Sequence, residues 1–178
     1  MLKTGTLDDK ISSICLLVKK DPKLTLKYID LLLKMSKKKN RRHSEICINA
    51  LKDLFLSNIL SNKKLLNFIQ STQNKPNFTD EDILDFYIDD FIHKKYLEFI
   101  EVIEEIIRND PLKNIKKKYM NTVLEMLARR PEREEKLMEV LVNKLGDPDV
   151  EICTHAIKLL KNLQVVRNFF SSFFTFFI

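Results

Sequence analysis

An Asp-Pro pair that recurs at a fixed spacing constrains this chain more than any other feature of its sequence. Asp147-Pro148 directly follows Gly146. Glycine is favoured just past the end of a helix, whereas aspartate and proline are favoured at the start of one. We therefore expect one helix to end at Gly146 and another, capped by Asp147, to begin at once. Asp110-Pro111 stands 37 residues earlier, and Asp21-Pro22 begins a looser copy.

The helices predicted after these pairs carry apolar residues at matching positions. The two stripes are Ile152, Ala156, Leu160 and Leu163 after Asp147, and Ile115, Tyr119, Val123 and Met126 after Asp110. The segment E-I-C-I-N-A-L-K-D-L from Glu45 also matches E-I-C-T-H-A-I-K-L-L from Glu151. A period near 37 residues indicates stacked helical hairpins, an α-solenoid of the HEAT or armadillo kind. A bundle of separately capped helices would show the same apolar periodicity and is the alternative.

The composition agrees with an all-α fold. The 178 residues are 44% apolar, which is enough to bury a core, and they include only two Gly and five Pro. Strands need turns that are rich in these two residue types, so a sheet is not expected. We predict one helical-repeat domain over residues 1–167, with a polar loop at about 71–79.

Two predicted helices have clear N-terminal caps. Asp8 or Asp9 begins one at about residues 9–20, and Thr79 begins the longest, which runs to Arg108. The side chains expected to face the core are Ile11, Ile14, Cys15 and Val18 in the first, and Leu84, Tyr87, Ile88, Phe91, Phe99, Ile103 and Ile106 in the longest.

Three more helices follow from helical spacing alone. One covers about residues 44–58, a short one begins at Ser61, and one begins at Pro131. Their expected inward side chains are Ile46, Ala50, Leu54 and Phe55, then Leu65, Leu66 and Ile69, then Leu137, Val140, Leu141 and Leu145.

The sequence contains no catalytic, cofactor-binding or metal-binding constellation. The three Cys form no C-x-x-C pair and lie at helical spacing among apolar residues, which argues against a disulfide framework or a zinc site. We interpret His43, His93 and His155 as structural or surface residues. The sequence therefore predicts a protein that is not an enzyme, uses no cofactor and has no small-molecule substrate.

The charge is unevenly distributed along the chain. Residues 1–78 hold 16 Lys and Arg against six Asp and Glu, whereas residues 79–178 hold 15 against 19. The basic half contains a dense run made of Lys34, Lys37, Lys38, Lys39, Arg41 and Arg42. Such a run predicts a ridge that binds RNA phosphates, with a solvated linker as the alternative.

The C-terminal residues 168–178 differ in kind from the rest. They are mostly Phe and Ser and show no helical stripe. They are also too few to span a bilayer, which takes about 20 apolar residues, so we expect no membrane association. We interpret this tail as the product of truncation or mis-splicing.

Five segments, in order within residues 7–163, carry a resemblance to a known family. They are D-K-I-S-S-I-C-L-L-V from Asp9, A-L-K-D-L-F-L-S-N-I-L from Ala50, K-K-Y-L-E-F-I-E-V-I-E from Lys94, N-D-P-L-K-N-I-K-K-K from Asn109 and L-V-N-K-L-G-D-P from Leu141. Together they resemble the helical-repeat region of the CCAAT/enhancer-binding protein zeta family, nucleolar complex proteins of large-subunit ribosome assembly. The resemblance implies a HEAT-like scaffold of early pre-60S particles in the nucleolus, acting with a second nucleolar complex protein and contacting pre-ribosomal RNA. It also implies a longer protein that continues into a CCAAT-binding-factor domain.

Two other functions remain open on the residues alone. An armadillo-like nuclear transport adaptor would hold peptides in a groove lined by regularly spaced Trp and Asn, and this chain has no Trp. A DNA-associated transcription factor would need an element that reads a DNA groove. The sequence has neither a basic region leading into a leucine heptad nor zinc-finger spacing.

Overall fold

The computed structural model describes residues 6–21, 26–38, 40–75 and 77–168, with only the backbone described at residues 74 and 164–168. Within these ranges the chain forms helices and no strand, so the all-α prediction is confirmed. The α-helices are α1 Leu7–Lys20, α2 Leu26–Ser36, α3 Arg41–Leu54, α4 Phe68–Asn74, α5 Asp80–Asn109, α6 Lys113–Arg129, α7 Glu134–Val142 and α8 Val150–Asn168. A π-helical turn, Phe55–Ile59, follows α3, and a 3-10 turn, Asn143–Gly146, follows α7.

The chain divides into two compact units, Met1–Val102 and Ile103–Ile178. The helices α1 to α4 lie in the first unit and α6 to α8 in the second, and α5 contributes residues to each. The assignment of residues 1–167 to a single domain stays a prediction. Residues 169–178, which make up nearly all of the predicted Phe-rich tail, lie outside the described residues.

Reciprocal hydrogen bonds fix the starts of α1 and α5. The Thr6 hydroxyl accepts the Asp9 N–H at 3.3 Å, and the Asp9 carboxylate accepts the Thr6 N–H at 3.0 Å. Thr79 and Asp82 repeat this arrangement at 3.3 and 2.8 Å. The predicted cap of α5 is confirmed, whereas the cap of α1 is Thr6 and not Asp8 or Asp9. A hydroxyl followed three residues later by an acid forms a capping box, so Asp9 supports the cap from inside the helix.

Both Asp-Pro pairs of the second unit form the same local turn. The Asp110 carboxylate accepts the Leu112 N–H at 2.8 Å, and the Asp147 carboxylate accepts the Asp149 N–H at 3.1 Å. In each case the next helix begins three residues after the first aspartate, α6 at Lys113 and α8 at Val150. The repeat therefore extends from the sequence to the hydrogen bonds of the backbone.

This turn corrects the expected roles of Asp147 and Gly146. Because the Asp147 carboxylate already bonds within the turn, the cap of α8 falls to Asp149, whose carboxylate accepts the Glu151 N–H at 2.9 Å. Pro148 consequently lies in the turn and not in the first turn of α8. Gly146 is the last residue of the 3-10 turn and does not adopt the left-handed conformation typical of a helix-ending glycine.

The core of the first unit lies among α1, α2, α3 and the middle of α5. Phe55, in the turn after α3, packs on α5. Its ring centroid lies 5.1 Å from that of Tyr96 and 5.4 Å from that of Phe99. The buried apolar side chains of α1 to α3 and the following turn are Ile11, Ile14, Val18, Ile29, Leu32, Leu33, Cys47, Ile48, Leu51, Leu54, Phe55 and Leu56. Cys15, which was also expected to face inward, is half-buried.

α3 turns a slightly different face inward from the one predicted. Leu54 and Phe55 are buried as expected, but Ile46 and Ala50 are only half-buried. The reason lies at the start of the helix, where the Ser44 hydroxyl donates to a buried backbone carbonyl and so fixes the Ser44 face towards the core. Cys47, at the next inward position, is then fully buried.

The segment after residue 60 was predicted wrongly. Residues 61–67 are not helical, and α4 begins only at Phe68, because Asn67 and Gln70 form a capping box there. Leu65 is half-buried, while Leu66 and Ile69 are exposed and do not pack back on the core. The loop is shorter than predicted, since α4 takes its first four residues and leaves 75–79, of which residue 76 is not described.

α5 buries the apolar face of its middle and later turns only. Ile88, Phe99 and Ile103 are buried as predicted, while Phe91 and Ile106 are half-buried. Further buried side chains are Ile92, Tyr96, Ile100, Val102 and Ile107. Leu84 and Tyr87, which were expected to face the core, are 58% and 57% exposed.

The core of the second unit follows the predicted stripes closely. Its buried apolar side chains in α6, α7 and α8 are Tyr119, Met120, Val123, Met126, Leu127, Leu137, Val140, Leu141, Ile152, Ala156, Leu159 and Leu163. Ile115 and Leu160 are half-buried, and Leu159 takes the place expected for Leu160. Leu145 is exposed because it lies in the 3-10 turn, whose three-residue period rotates it off the face that α7 buries.

α6 and α8 run side by side in the same direction. Lys113 Nζ, at the start of α6, lies 2.6 Å from a carboxylate oxygen of Asp149, just before α8. Asn121 lies eight residues after Lys113 on α6, and His155 lies six residues after Asp149 on α8. Their side chains are hydrogen-bonded at 3.0 Å. Contacts that advance together along two helices require the helices to be parallel.

Candidate nucleic-acid interface

The predicted phosphate-binding residues lie where α2 ends and α3 begins. α2 ends at Ser36, and Asn40 caps α3 by accepting the His43 N–H at 3.2 Å. Because helices α2 and α3 pack against each other, this turn lies at one end of the pair. The α3 N-terminus also adds the partial positive charge of a helix start to the same place.

A buried serine bridges the turn, and a second ends α2 with a hydrogen bond inside the helix. The Ser36 hydroxyl donates to the Leu33 carbonyl at 2.8 Å, and the Ser44 hydroxyl donates to the Ser36 carbonyl. Both serines are buried, so their hydroxyls satisfy backbone groups that water does not reach. The long cationic side chains of the turn are thereby left on its outer side.

Five of the six predicted site residues can be located, and all five are exposed. Lys34 lies in the last turn of α2, Lys37 and Lys38 lie in the connecting turn, and Arg41 and Arg42 lie in the first turn of α3. Lys39 lies outside the described residues. The structure therefore brings the located cations to the surface of one turn, and their contact with RNA stays a prediction.

Lys37 has an acidic partner that sequence reasoning missed. Its Nζ lies 2.7 Å from a carboxylate oxygen of Glu98 on α5. Glu98 also pairs with Lys95 at 3.0 Å, and Lys95 pairs with Asp30 of α2 at 2.7 Å. These two carboxylates and two ammonium groups tie α2, its following turn and α5 together.

The network shifts the pKa values of Glu98 and Lys95. The hydrogen bond from Lys37 is the main reason that the pKa of Glu98 is lowered, with Lys95 adding to the effect. The hydrogen bond to Asp30 is the main reason that the pKa of Lys95 is raised. Both shifts favour the charged forms of Glu98 and Lys95, so the Glu98 carboxylate competes with any phosphate for Lys37.

The exposed cations continue into a shallow depression on α3. Arg41, Arg42, Glu45, Ile46 and Asn49 line this cavity of ≈ 580 Å³. Two guanidinium groups, an amide and an apolar surface are groups that contact phosphates and bases in RNA complexes, whereas the Glu45 carboxylate in the same depression opposes a phosphate. Asn49 and Ile46 were not predicted as site residues, because on sequence they belong to an ordinary helix surface.

A second charged surface lies between α6 and α8 and has a different character. Lys113, Lys117, Asp149, Glu151, His155 and Lys158 are among the residues that line a cavity of ≈ 810 Å³ there. Lys113 lies 2.6 Å from Asp149 and 3.5 Å from Glu151, and Lys117 pairs with Glu151. Acidic partners therefore offset the charge of Lys113 and Lys117 on this surface.

His155 belongs to the same helix pair. Its Nε2 lies 3.0 Å from the Asn121 side-chain oxygen. Burial, and secondarily the charge of Lys117, lowers the pKa of His155. It is therefore neutral at physiological pH and works as a polar contact between α6 and α8.

The remaining reactive side chains form no further site. In the described part of the chain, no group of three or more His, Cys, Asp or Glu is placed to hold a metal ion. Burial raises the pKa of the Cys47 thiol to about 11 and also raises that of Cys15. No helix in the described ranges has the length and hydropathy that crossing a bilayer requires.

Comparison with known proteins gives relatives along nearly the whole chain, although no protein-family model matches it. The chain is 32% identical over 165 residues to an uncharacterised protein of Schizosaccharomyces pombe, covering 92% of this chain and 19% of that protein. It is 30% identical over 174 residues to human CCAAT/enhancer-binding protein zeta, covering 92% of this chain and 16% of that protein. It is 25% identical over 187 residues to ribosome biogenesis protein NOC1 of Chaetomium thermophilum, covering 94% of this chain and 18% of that protein. The chain thus spans less than a fifth of the length of these relatives.

Proposed function

This chain belongs to the CCAAT/enhancer-binding protein zeta and nucleolar complex protein family, and on that premise we propose that it is a non-enzymatic scaffold in ribosome biogenesis. Its place is in the nucleus and nucleolus, in particles that mature into the large (60S) subunit. There it binds a second nucleolar complex protein and pre-ribosomal RNA. The names of the relatives in ribosome biogenesis and the nucleolar complex support the process and the compartment.

The observation that carries the RNA part of the proposal is the exposed cationic turn between α2 and α3. Lys34, Lys38 and Arg42 are exposed beside Lys37 and Arg41, in a half of the chain where basic residues far outnumber acidic ones. RNA presents a phosphate at every nucleotide, and lysine and arginine side chains that neutralise phosphates supply most of the affinity in such contacts.

Contacts of this type position an RNA without reading its sequence. The cations of the turn would engage the phosphate backbone. The neighbouring depression on α3 offers Asn49 and Ile46 to a nucleotide that lies alongside. We therefore expect affinity for many single-stranded RNA sequences, with a preference set by shape.

The scaffold part of the proposal is supported by the geometry of the second unit. α6 and α8 are parallel, each follows the same Asp-Pro turn, and α7 lies between them in the chain. Repeated pairs of helices in which every second helix points the same way build an α-solenoid of the HEAT or armadillo kind. Such a fold presents long surfaces and no enclosed active site, in keeping with a role as an assembly platform.

A pull-down of the tagged chain from nuclear extract tests this function. Proteins recovered with it are identified by mass spectrometry and scored in two groups, assembly factors of the large ribosomal subunit and importins. The proposal predicts enrichment of the first group together with pre-ribosomal RNA, and loss of the RNA when all six cations of the run are changed to Ser. Enrichment of importins alone would contradict the proposal and favour a transport adaptor.

A further inference from the structure

The depression on α3 contains a side chain that phosphate binding does not explain. Arg41, Arg42, Glu45, Ile46 and Asn49 line this cavity of ≈ 580 Å³, which we call the α3 depression. The two arginines and the amide donate hydrogen bonds and so suit an anion, but the carboxylate of Glu45 repels one. A ligand that suits the whole depression therefore carries hydrogen-bond donors as well as negative charge.

The spacing of these five residues places them on one face of α3. Arg41 and Glu45 are four residues apart, and so are Arg42 and Ile46, and Glu45 and Asn49. Side chains at this interval are neighbours on a helix surface. A single helix therefore builds the depression over about two turns.

The opposite face of α3 is fixed in the core of the first unit. Cys47, Ile48 and Leu51 are fully buried, so the helix cannot rotate about its axis. Glu45 and Ile46 are half-buried, and the arginines and the amide of the depression are exposed. The carboxylate and the apolar surface of the depression thus have a fixed position, with the longer cationic side chains beside them.

A nucleotide of single-stranded RNA carries both kinds of group that the α3 depression requires. Its phosphate accepts hydrogen bonds from arginines, and its unpaired base presents N–H donors on the Watson–Crick edge. The plane of a guanidinium group also stacks on bases, and Ile46 offers an apolar surface to the same ring. The carboxylate that opposes a phosphate is in this way a suitable acceptor for a base.

The Glu45 carboxylate distinguishes guanine from the other three bases. Two carboxylate oxygens accept a pair of hydrogen bonds from donors that lie side by side. Guanine presents such a pair, its N1–H and its N2 amino group. In adenine and cytosine an accepting ring nitrogen lies beside the amino group, and in uracil two carbonyl oxygens flank the N3–H. With these bases, one carboxylate oxygen would face an acceptor.

We propose that the α3 depression binds an unpaired guanine of RNA. Glu45 accepts hydrogen bonds from N1–H and the amino group, and Asn49, one turn further along α3, donates to O6. A carboxylate has about four lone-pair sites, so Glu45 binds the base without giving up a neighbour such as Arg41. The inference rests on the proposed RNA binding, because the cations of the α2–α3 turn hold the strand that presents the base.

Fluorescence anisotropy with short RNAs tests this inference on the full chain. The probes are oligouridine strands that differ only at one central nucleotide, which is guanosine, inosine or uridine. We expect guanosine to raise the affinity at least about fivefold over uridine, the lower end of what a bidentate contact contributes to discrimination. Inosine lacks only the amino group and should fall between the two. Equal affinity for the guanosine and uridine strands would overturn the proposal.

Salt separates contacts with the base from contacts with phosphates. The affinity for every strand should fall as salt is added, because phosphate contacts release counterions. The ratio of the guanosine affinity to the uridine affinity should stay constant, since hydrogen bonds to a base release none. A ratio that falls to one at higher salt would overturn the proposal, because the preference would then be electrostatic.

The variant Glu45→Gln keeps the size of the side chain but removes the paired acceptor and a negative charge. The preference for guanosine should disappear, while the affinity for the uridine strand should stay the same or rise. Unfolding cannot produce this pattern, because it would lower the affinity for both strands.

The matched control is Asp53→Asn, which removes an exposed carboxylate from the same helix outside the depression. It should keep the preference for guanosine. An unchanged preference in Glu45→Gln, or an equal loss of preference in both variants, would overturn the proposal.

The same titrations separate this inference from the proposed function. If all strands bind with equal and salt-dependent affinity, the recognition of guanine is wrong and the RNA binding stands. If no strand binds even at low salt, the RNA part of the proposed function is wrong and the inference falls with it.

Discussion

Lys37 and Glu98, 61 residues apart in the sequence, form an ion pair in which the Lys37 Nζ lies 2.7 Å from the carboxylate. If the interface binds RNA, Glu98 competes with the RNA phosphates for this cation. Glu98→Gln should release Lys37 for a phosphate while keeping the size of the side chain. We expect the slope of log affinity against log salt for single-stranded RNA to become steeper by about 0.7, the value for one further phosphate contact.

The control for this change is Glu101→Gln, which removes one exposed carboxylate from the same helix without touching Lys37. Fluorescence anisotropy over a series of salt concentrations measures both variants. If Glu98→Gln and Glu101→Gln change the slope equally, the effect comes from net charge and Lys37 is not a phosphate contact.

The repeated Asp-Pro turn predicts a matched pair of stability effects. Asp110→Ala and Asp147→Ala each remove the acceptor of a turn hydrogen bond, which should lower the free energy of unfolding by about 0.5–1.5 kcal/mol. Asp147→Ala also removes the ion pair of Asp147 with Lys144 at 3.0 Å. Asn at either position keeps the acceptor and should recover most of the loss. Urea unfolding measures all four variants, and equal stability of the Ala and Asn variants would show that the turn hydrogen bonds do not matter.

The start of α5 predicts a pH-dependent step in acid. Hydrogen bonds from Lys75 and Thr79 lower the pKa of Asp82 to about 2 from an ordinary value of 3.8. Because the folded pKa lies below the unfolded one, the charged carboxylate supports the folded state above pH 3.8. That support is lost as the pH falls from about 4 towards 2. NMR titration of the Asp82 carboxyl checks this directly.

Lys75→Ala should raise the pKa of Asp82 towards its ordinary value, because it removes the largest cause of the shift. Lys94→Ala is the control, since Lys94 pairs with Asp90 two turns further along the same helix. A pKa of Asp82 that does not respond to Lys75→Ala would contradict the assigned partner.

The buried thiol of Cys47 predicts slow alkylation. Its side chain is fully buried and its pKa is raised to about 11, so very little thiolate is present at pH 8. Iodoacetamide should label Cys47 in the native chain at least about a hundredfold more slowly than in the urea-unfolded chain, because the thiolate is the reacting species. Peptide mass spectrometry resolves the three cysteines, and similar native and unfolded rates at Cys47 would show that α3 opens readily.

The features of the fold that were predicted best are those that depend on neighbouring residues in the sequence. Most of the apolar stripes of α6 and α8 and the cap at Thr79 depend on residues within a few positions of each other, and these were predicted. Errors of two residues arose where side chains had a choice of partner, as at Asp147 and Asp149. Sequence spacing does not show which of two neighbouring carboxylates bonds within a turn and which caps a helix.

Contacts between residues far apart in the sequence could not be predicted from local sequence patterns. Nothing local to Lys37 indicates that Glu98 will lie beside it, so the prediction of the candidate interface did not include this ion pair. The periodicity of Leu84 and Tyr87 correctly indicates an apolar helix face, but it cannot show whether another element covers that face. The same limit explains the short segment around Leu66, where apolar residues were taken for core and are exposed.

The salt dependence of RNA binding tests the central claim most directly. If about four of the six cations in the run touch single-stranded phosphates, the slope of log affinity against log salt for the parent chain should be roughly −3. Changing Lys34, Lys37, Lys38, Lys39, Arg41 and Arg42 to Ser should flatten this slope and leave the helical content unchanged. The matched control changes six other lysines, Lys19, Lys20, Lys63, Lys64, Lys158 and Lys161, to Ser and should keep most of the slope despite the same loss of charge. Equal affinity and equal slope in the parent chain and the first variant would contradict the claim and leave the run as a solvated turn.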